Sequence, residues 1–243
     1  MTGLHRRAAW TALSLLGGAA GGLAACGGDE PPAKAPDAVP QESSGPRRPA
    51  LRTTSELGDV DPADVKDAFG VLNDRFIGCQ KRGLERVEVI AGAVKFFLRI
   101  GADGRAKWTY FEESDVGDRE TEKCLLEVVE DARWPKPSGG DAEARYSMEL
   151  PLQATRPPNE WSSDRVAAAL GKYGEAIDRC KAGASAAFHA TMYVGPGGKV
   201  LAAGVVTPSR DGAQGADCLV KVLEKMHDLP SPGSWPAKVG FDL

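Results

Sequence analysis

Cysteine is the residue type in this chain with the clearest potential for chemistry. The sequence has five cysteines, and four of them follow residue 56: Cys79, Cys124, Cys180 and Cys218. Such residues can form disulfide bonds, bind zinc or act as a redox pair. Zinc sites and catalytic dithiols usually contain two cysteines separated by two residues, a spacing that this sequence lacks. The spacing therefore favours structural disulfide bonds, with a zinc site and a redox pair as the alternatives.

The fifth cysteine, Cys26, follows a segment that is typical of a secretory signal. Positive charge at residues 5–7 precedes a short apolar run rich in Ala, Leu and Gly. Residues 23–26, with the sequence Leu-Ala-Ala-Cys, resemble the bacterial lipobox. The resemblance implies a lipoprotein signal peptide at 1–25, cleavage before Cys26, and lipidation of Cys26 with a diacylglyceryl group and a further acyl chain such as palmitate. An ordinary signal with a chance cysteine and an uncut signal anchor are the alternatives.

The residues after Cys26 indicate which membrane would hold the chain and what kind of segment follows the anchor. Gly27, rather than Asp, follows Cys26, which favours the outer membrane over the inner membrane. We therefore expect a lipid-anchored protein of the cell envelope that faces the periplasm or the cell surface. Residues 26–56 are rich in Pro, Ala, Ser and charge and contain few large apolar residues, so the segment predicts a disordered linker.

Other polar residues give weaker indications of chemistry. Glu112, Glu113 and Asp115 form an acidic cluster that could act as a general acid and base pair or bind a cation, although a solvated loop is the commoner reason for such a cluster. His189 and His227 have no Ser, Cys or carboxylate at a recognisable spacing, and we expect both on the surface. The sequence therefore predicts no catalytic residue, no metal ligand and no cofactor.

The charge of the chain argues against nucleic acid as a partner. Formal net charge is −4 at pH 7 and the sequence pI is near 5.5. Nucleic-acid-binding domains usually carry a basic face. No small-molecule substrate is evident from the sequence either.

The chain after the linker predicts two tandem repeats, at 57–154 and 159–243. Apolar residues at steps of three and four predict a helix at the start of each repeat. Asp61 is a predicted cap of the first of these helices, and Gly83 and Gly183 are the predicted ends of the two. An offset of 101 residues relates the apolar stripes of the two helices: Val65, Phe69, Leu72, Phe76 and Cys79 match Val166, Leu170, Tyr173, Ile177 and Cys180.

The rest of each repeat continues the match and sets the predicted fold class. Alternating apolar residues predict strands near 94–100, 105–112 and 144–150, and near 188–194, 199–206 and 237–243. Gly104 and Gly198 lie in the predicted hairpin turns, and a second helical stripe ends at a proline-rich corner that Trp134 and Leu229 should anchor. The predicted fold is α+β, with the order helix, strand, strand, helix, strand in each repeat. Each repeat should have a three-stranded, mainly antiparallel sheet with both helices on one face.

The duplication also suggests how the cysteines pair. Four cysteines allow three pairings. The equivalence of the repeats favours Cys79–Cys124 and Cys180–Cys218, because each bond then joins the two helices of one repeat. Export would place these cysteines in an oxidising compartment, where disulfide bonds form and persist.

The arrangement of cysteines, hairpin glycines and proline pairs resembles the AgmX/PglI C-terminal domain, a relative of the TonB C-terminal domain. The resemblance rests on the spacing of the four cysteines, the turns at Gly104 and Gly198, and the Pro-x-Pro corners. It implies an adaptor of the cell envelope, in the setting of envelope or gliding-motility proteins, and it brings no catalytic residues.

These observations lead to one functional expectation and two alternatives. We expect a non-catalytic binding or adaptor module, held at the membrane by the lipid on Cys26, that captures an envelope protein or peptide at an exposed sheet edge. The first alternative is a purely structural protein whose repeats stack and bridge envelope layers. The second is an enzyme, such as a hydrolase, that uses the acidic cluster.

Overall fold

A computed structural model describes residues 57–181, 187–207 and 209–243. The predicted signal peptide at 1–25, the lipidation site Cys26, the linker at 26–56 and Gly183 lie outside the described residues. The first half of the described chain is residues 57–154, and the second half is residues 159–243. Both halves belong to the same compact unit.

The first half consists of three helices and one sheet. Its elements are α1 (Pro62–Val71), α2 (Asn73–Leu84), β1 (Gly92–Ile100), β2 (Ala106–Ser114), α3 (Arg119–Glu130) and β3 (Ala142–Leu150). The strand order is β2-β1-β3, and both neighbouring pairs are antiparallel. This is the three-stranded antiparallel sheet that the sequence predicts for residues 57–154.

The second half has a larger and mixed sheet. Its elements are β4 (Asn159–Trp161), α4 (Asp164–Lys172), α5 (Gly174–Lys181), β5 (His189–Val194), β6 (Val200–Val206), a 3-10 turn (Arg210–Gly212), α6 (Ala213–Leu223) and β7 (Ala237–Asp242). The strand order is β4-β7-β5-β6, and β4 runs parallel to β7. The prediction of three strands was therefore wrong for this half, because the short β4 adds a fourth. The α+β class is confirmed.

The first predicted helix of each half is divided into two segments. The breaks lie at Leu72, between α1 and α2, and at Tyr173, between α4 and α5. Gly70 precedes the first break, and Gly171 and Gly174 flank the second; glycine has low helix propensity and is a common cause of helix kinks. Despite the first break, all the apolar stripe residues of α1 and α2 are buried: Val65, Phe69, Leu72, Phe76 and Cys79.

Gly83 has a different role from the predicted one. It lies inside the last turn of α2, which ends at Leu84, one residue beyond the predicted end. A Cβ atom at Gly83 would collide with the hydroxyl of Thr121 on α3. The glycine is therefore required for the close approach of α2 and α3, rather than for a left-handed cap.

Aromatic side chains form the centre of the first core. The ring centroids of Phe69 and Phe96 are 5.5 Å apart, and those of Phe96 and Phe111 are 4.9 Å apart. The ring centroid of Trp134 is 4.7 Å from that of Phe69, and its indole N–H donates to the carbonyl of Val129 at 3.1 Å. Trp134 thus anchors the corner between α3 and β3, as the sequence predicts.

The two halves pack against each other through one face of the second sheet. Tyr193, Ala202 and Val206 extend from that face into the core of the first half. The Tyr193 hydroxyl donates to the carbonyl of Ala91 at 3.2 Å and accepts from the Ala91 N–H at 3.3 Å. At the rim, the guanidinium of Arg119 on α3 bonds the carboxylate of Asp217 on α6 at 2.7 Å. The halves therefore share buried apolar surface and specific polar contacts.

Candidate functional site

Disulfide bonds join helices within each half. Cys79 on α2 is bonded to Cys124 on α3, with Cα atoms 5.7 Å apart, and Cys180 on α5 is bonded to Cys218 on α6, with Cα atoms 5.4 Å apart. These are the two pairs that the predicted duplication favours. The cysteines therefore stabilise helix pairs and are not arranged as zinc ligands.

The three carboxylates of the acidic cluster at the end of β2 are paired with basic side chains. Glu112 accepts from Arg145 at 2.7 Å, and the Lys95 ammonium lies 3.3 Å from the carboxylates of both Glu112 and Glu113. Asp115 accepts the backbone N–H of Ala93 at 2.6 Å and lies 3.6 Å from the Lys238 ammonium. The cluster borders a crevice of about 410 Å³. Each of its three carboxylates is engaged in an ion pair with Lys95, Arg145 or Lys238.

The two histidines of the folded region lie on separate elements. His189 begins β5, is exposed, and its Nδ1 is 2.8 Å from a carboxylate oxygen of Asp242. His227 follows α6, is exposed, and its Nδ1 is 3.0 Å from the carbonyl oxygen of Lys225. Within residues 57–181, 187–207 and 209–243, we find no group of three or more His, Cys, Asp or Glu side chains arranged to hold a metal ion. In the same ranges, every helix is too short or too polar to cross a membrane.

The feature with the clearest capacity to bind a partner is the outer edge of β3. This strand lies at the edge of the first sheet, and in the part of the chain that the structure describes no strand pairs with its outer side. An uncovered edge presents unpaired backbone N–H and C=O groups to which another extended chain can bond.

The direction of the β3 backbone groups follows from the contacts of Ala93 on β1. The Ala93 carbonyl accepts from the N–H of Asp115, which follows β2, so the backbone groups of Ala93 point away from β3. In antiparallel pairs, hydrogen-bonded and non-hydrogen-bonded positions alternate. Glu149 is opposite Ala93, and its own backbone groups therefore point outward from the sheet. The alternation gives the same outward direction to Ser147, Arg145 and Glu143.

A groove runs along this edge and can accept a side chain. It has a volume of about 180 Å³, and its walls are the start of α1 and the first half of β3: Val60, Pro62, Val65, Lys66 and residues 143–146. The Tyr146 ring lies flat against Phe69, with centroids 4.1 Å apart, and so is fixed in place. An added strand would place alternate side chains toward this groove.

In the second sheet, the strand in the corresponding position is already covered. Asn159, Glu160 and Trp161 of β4 pair in parallel with Ala237, Lys238 and Val239 of β7. Trp161 packs against the second core. The β7 edge thus shows, within this chain, how an extended segment occupies such a position.

Sequence reasoning missed one strand and one residue that matter here. The strand β4 is only three residues long and follows Pro157 and Pro158, so it carries no detectable alternation. Glu122 is 1% exposed, on the same helical face as Leu125 and Val129. The sequence did contain one indication that Glu122 is buried, because it is a carboxylate on an otherwise apolar helical stripe.

Comparisons with protein-family models, with curated proteins and with solved structures gave no match. The resemblance to the AgmX/PglI and TonB C-terminal domains stays a prediction.

Proposed function

We propose that this chain is a non-catalytic binding module of the cell envelope that takes an extended segment of a partner protein along the outer edge of β3. The observation that carries the proposal is the uncovered β3 edge beside the groove at α1. Main-chain hydrogen bonds would supply affinity, and the groove would select the side chain that enters it.

The internal duplication supports this choice of edge. Aligned by the offset of 101 residues, Val60 corresponds to Trp161. The Gly58 N–H donates to the carbonyl of Asp141 at 2.7 Å, and the Asn159 N–H donates to the carbonyl of Pro236 at 2.9 Å. Both halves therefore bring the chain to the start of their last strand, but only the second continues along it.

The difference between the two halves suggests what the partner must offer. Val60 has a smaller side chain than Trp161 and borders the groove of about 180 Å³. A partner segment with a large apolar residue would place that side chain in the groove, as Trp161 packs beside β7. The partner that fits best is an extended segment that runs parallel to β3 and carries such a residue.

The setting of the module is part of the same proposal. If Cys26 is lipidated, as its resemblance to a lipobox implies, the acyl chains would hold the folded region at the outer membrane. The resemblance to the AgmX/PglI domain implies an envelope or gliding-motility assembly as the setting. Two or three acyl chains give stable anchoring, because each buried methylene contributes about 0.8 kcal/mol.

The test uses a photo-crosslinking amino acid at Glu149 of the full-length chain in its native cells. Glu149 is exposed and its backbone groups point outward, so a bound strand would lie beside it. We expect one defined crosslinked product. The same probe at Lys221, an exposed residue of α6, should give none.

A proline substitution tests whether the crosslinked product at Glu149 forms by strand addition. Ser147→Pro removes an outward N–H from an edge strand, a position where proline is tolerated in sheets. Ser147→Ala is the matched control because it keeps that N–H. We expect Ser147→Pro to abolish the crosslink at Glu149 and Ser147→Ala to keep it, with equal thermal unfolding of both variants. A crosslink that survives the proline, or that forms equally from Lys221, would refute binding at this edge.

A further inference from the structure

Glu122 is a buried carboxyl group that lacks a full set of partners. It lies in the first turn of α3 and is 1% exposed. Its Oε1 accepts the hydroxyl of Ser114 at 2.8 Å. Among the described residues, its Oε2 has no hydrogen bond of good geometry, although the backbone N–H of Gly117 lies near the carboxyl group and favours its ionised form. A buried carboxylate with an unsatisfied oxygen is unfavourable, whereas a neutral carboxylic acid in the same place is tolerated far better.

The second half of the chain covers this carboxyl group. Gly204 on β6 lies directly over Glu122, and a Cβ atom at residue 204 would be 2.5 Å from Oε1. The strand β6, with the sequence Val-Leu-Ala-Ala-Gly-Val-Val, carries no charge. The burial of Glu122 therefore depends on the docking of the two halves, and β6 offers it no cation.

The charged groups around Glu122 are committed elsewhere or distant. The Arg119 guanidinium is 3.9 Å from Oε2, but it bonds Asp217 on α6 at 2.7 Å. Asp118 is paired with Arg86 and adds negative charge near Glu122. Tyr193 on β5 is the further titratable group on the facing sheet, and its burial raises its own pKa, so it stays neutral.

We propose that the contact between the two halves acts as a pH-dependent latch: the halves are held together more strongly at acid pH than at neutral pH. With Glu122 protonated, Gly204 can close over a neutral group. With Glu122 ionised, the charge gains hydration when β6 moves away, so ionisation favours separation of the halves. Separation would expose the apolar face that carries Ala202 and Val206.

The direction of the pH dependence follows from the state in which Glu122 is buried. Burial raises the pKa of Glu122 above its ordinary value. This effect, to which the charge of Asp118 adds, outweighs the hydrogen bond from Ser114 and the charge of Arg119, which lower the pKa. At a pH below the ordinary carboxyl pKa, Glu122 is protonated in both the docked and the separated states. As pH rises above that value, the separated state gains stability by ionising, and docking weakens.

Hydrogen exchange on the full-length chain tests the latch. Amide protection in β6 would be measured between pH 5 and pH 8 and corrected for the intrinsic exchange rate. We expect protection in the wild type to fall at least tenfold over this range. Glu122→Gln, which keeps the shape and removes the charge, should hold protection at its pH 5 level throughout. Glu127→Gln, an exposed position on the same helix, should behave as the wild type.

A second variant keeps the proposal testable if Glu122→Gln folds poorly. Gly204→Ala would push a methyl group against the Glu122 carboxyl group, so low β6 protection at every pH is expected. Wild-type protection that does not change with pH would overturn the latch. So would a Glu122→Gln variant that keeps the wild-type pH dependence, or a Gly204→Ala variant as protected as the wild type.

Discussion

Removal of each disulfide bond should have a large and unequal effect on stability. The bonds close loops with sequence separations of 45 residues for Cys79–Cys124 and 38 residues for Cys180–Cys218. In the chain-entropy model, either loop contributes about 4 kcal/mol to the free energy of unfolding, because the dependence on loop length is logarithmic. The entropic terms are thus nearly equal. The difference between the bonds must come from their surroundings.

Burial distinguishes the two bonds. Cys79 is 1% exposed in the first core, whereas Cys218 is exposed. Replacing Cys79 by Ala also removes a packed sulfur atom, which costs about 1 kcal/mol more. We therefore expect losses of about 5 kcal/mol for Cys79→Ala/Cys124→Ala and about 4 kcal/mol for Cys180→Ala/Cys218→Ala.

Urea unfolding followed by tryptophan fluorescence would measure both losses. The wild type under non-reducing conditions is the reference, and the wild type with reductant should lose more stability than either double variant. A larger loss for Cys180→Ala/Cys218→Ala than for Cys79→Ala/Cys124→Ala would refute the argument from burial. A loss below about 1 kcal/mol for either variant would refute the entropic estimate.

Three further substitutions test the packing described above. Tyr193→Phe removes the hydroxyl that bonds both backbone groups of Ala91, and should lower the free energy of unfolding in urea by about 1 to 2 kcal/mol. Gly104→Ala forces a side chain onto a backbone with φ +76° and should lower the melting temperature by an amount that corresponds to about 2 to 3 kcal/mol. The control Gly171→Ala adds a methyl group in open space on α4 and should not lower the melting temperature. Glu122→Gln should raise the free energy of unfolding at pH 7.5 and leave it unchanged near pH 4. The reason is that burial raises the pKa of this carboxyl group, and its destabilising effect is absent when Glu122 is protonated in both the folded and the unfolded protein.

The two halves differ in a way that bears on how a partner would bind. The β3 edge is open, whereas β4 already covers the start of β7. The β2 and β6 strands lie close together where the halves dock. If strand addition is the mode of binding, each chain would offer its main site at β3, and the second half would act mainly as a support for the first.

Several elements followed from the sequence because their physical causes are local. Alternation of Phe96 and Leu98 with Lys95 and Arg99 predicts a strand with one buried face. Gly104 predicts the tight turn that its positive φ confirms. Of the candidate residues, the cysteine pairs could be predicted on the hypothesis of a repeat. The acidic cluster could be recognised, although its ion pairs with Lys95 and Arg145 could not.

The sequence alone determined the α+β class and the order of the main helices and strands, because periodicity and turn chemistry act over short distances. It also favoured the observed pairing of the cysteines, through the comparison of the two predicted repeats. Tertiary structure alone decided that β4 joins β7, that β3 stays open among the described residues, and that Glu122 is buried beneath Gly204. These features arise where segments far apart in the chain compete for the same edge or face. The outcome of that competition depends on shape and desolvation in three dimensions. A linear pattern can place Glu122 on the apolar stripe of α3, but it does not say which segment covers it.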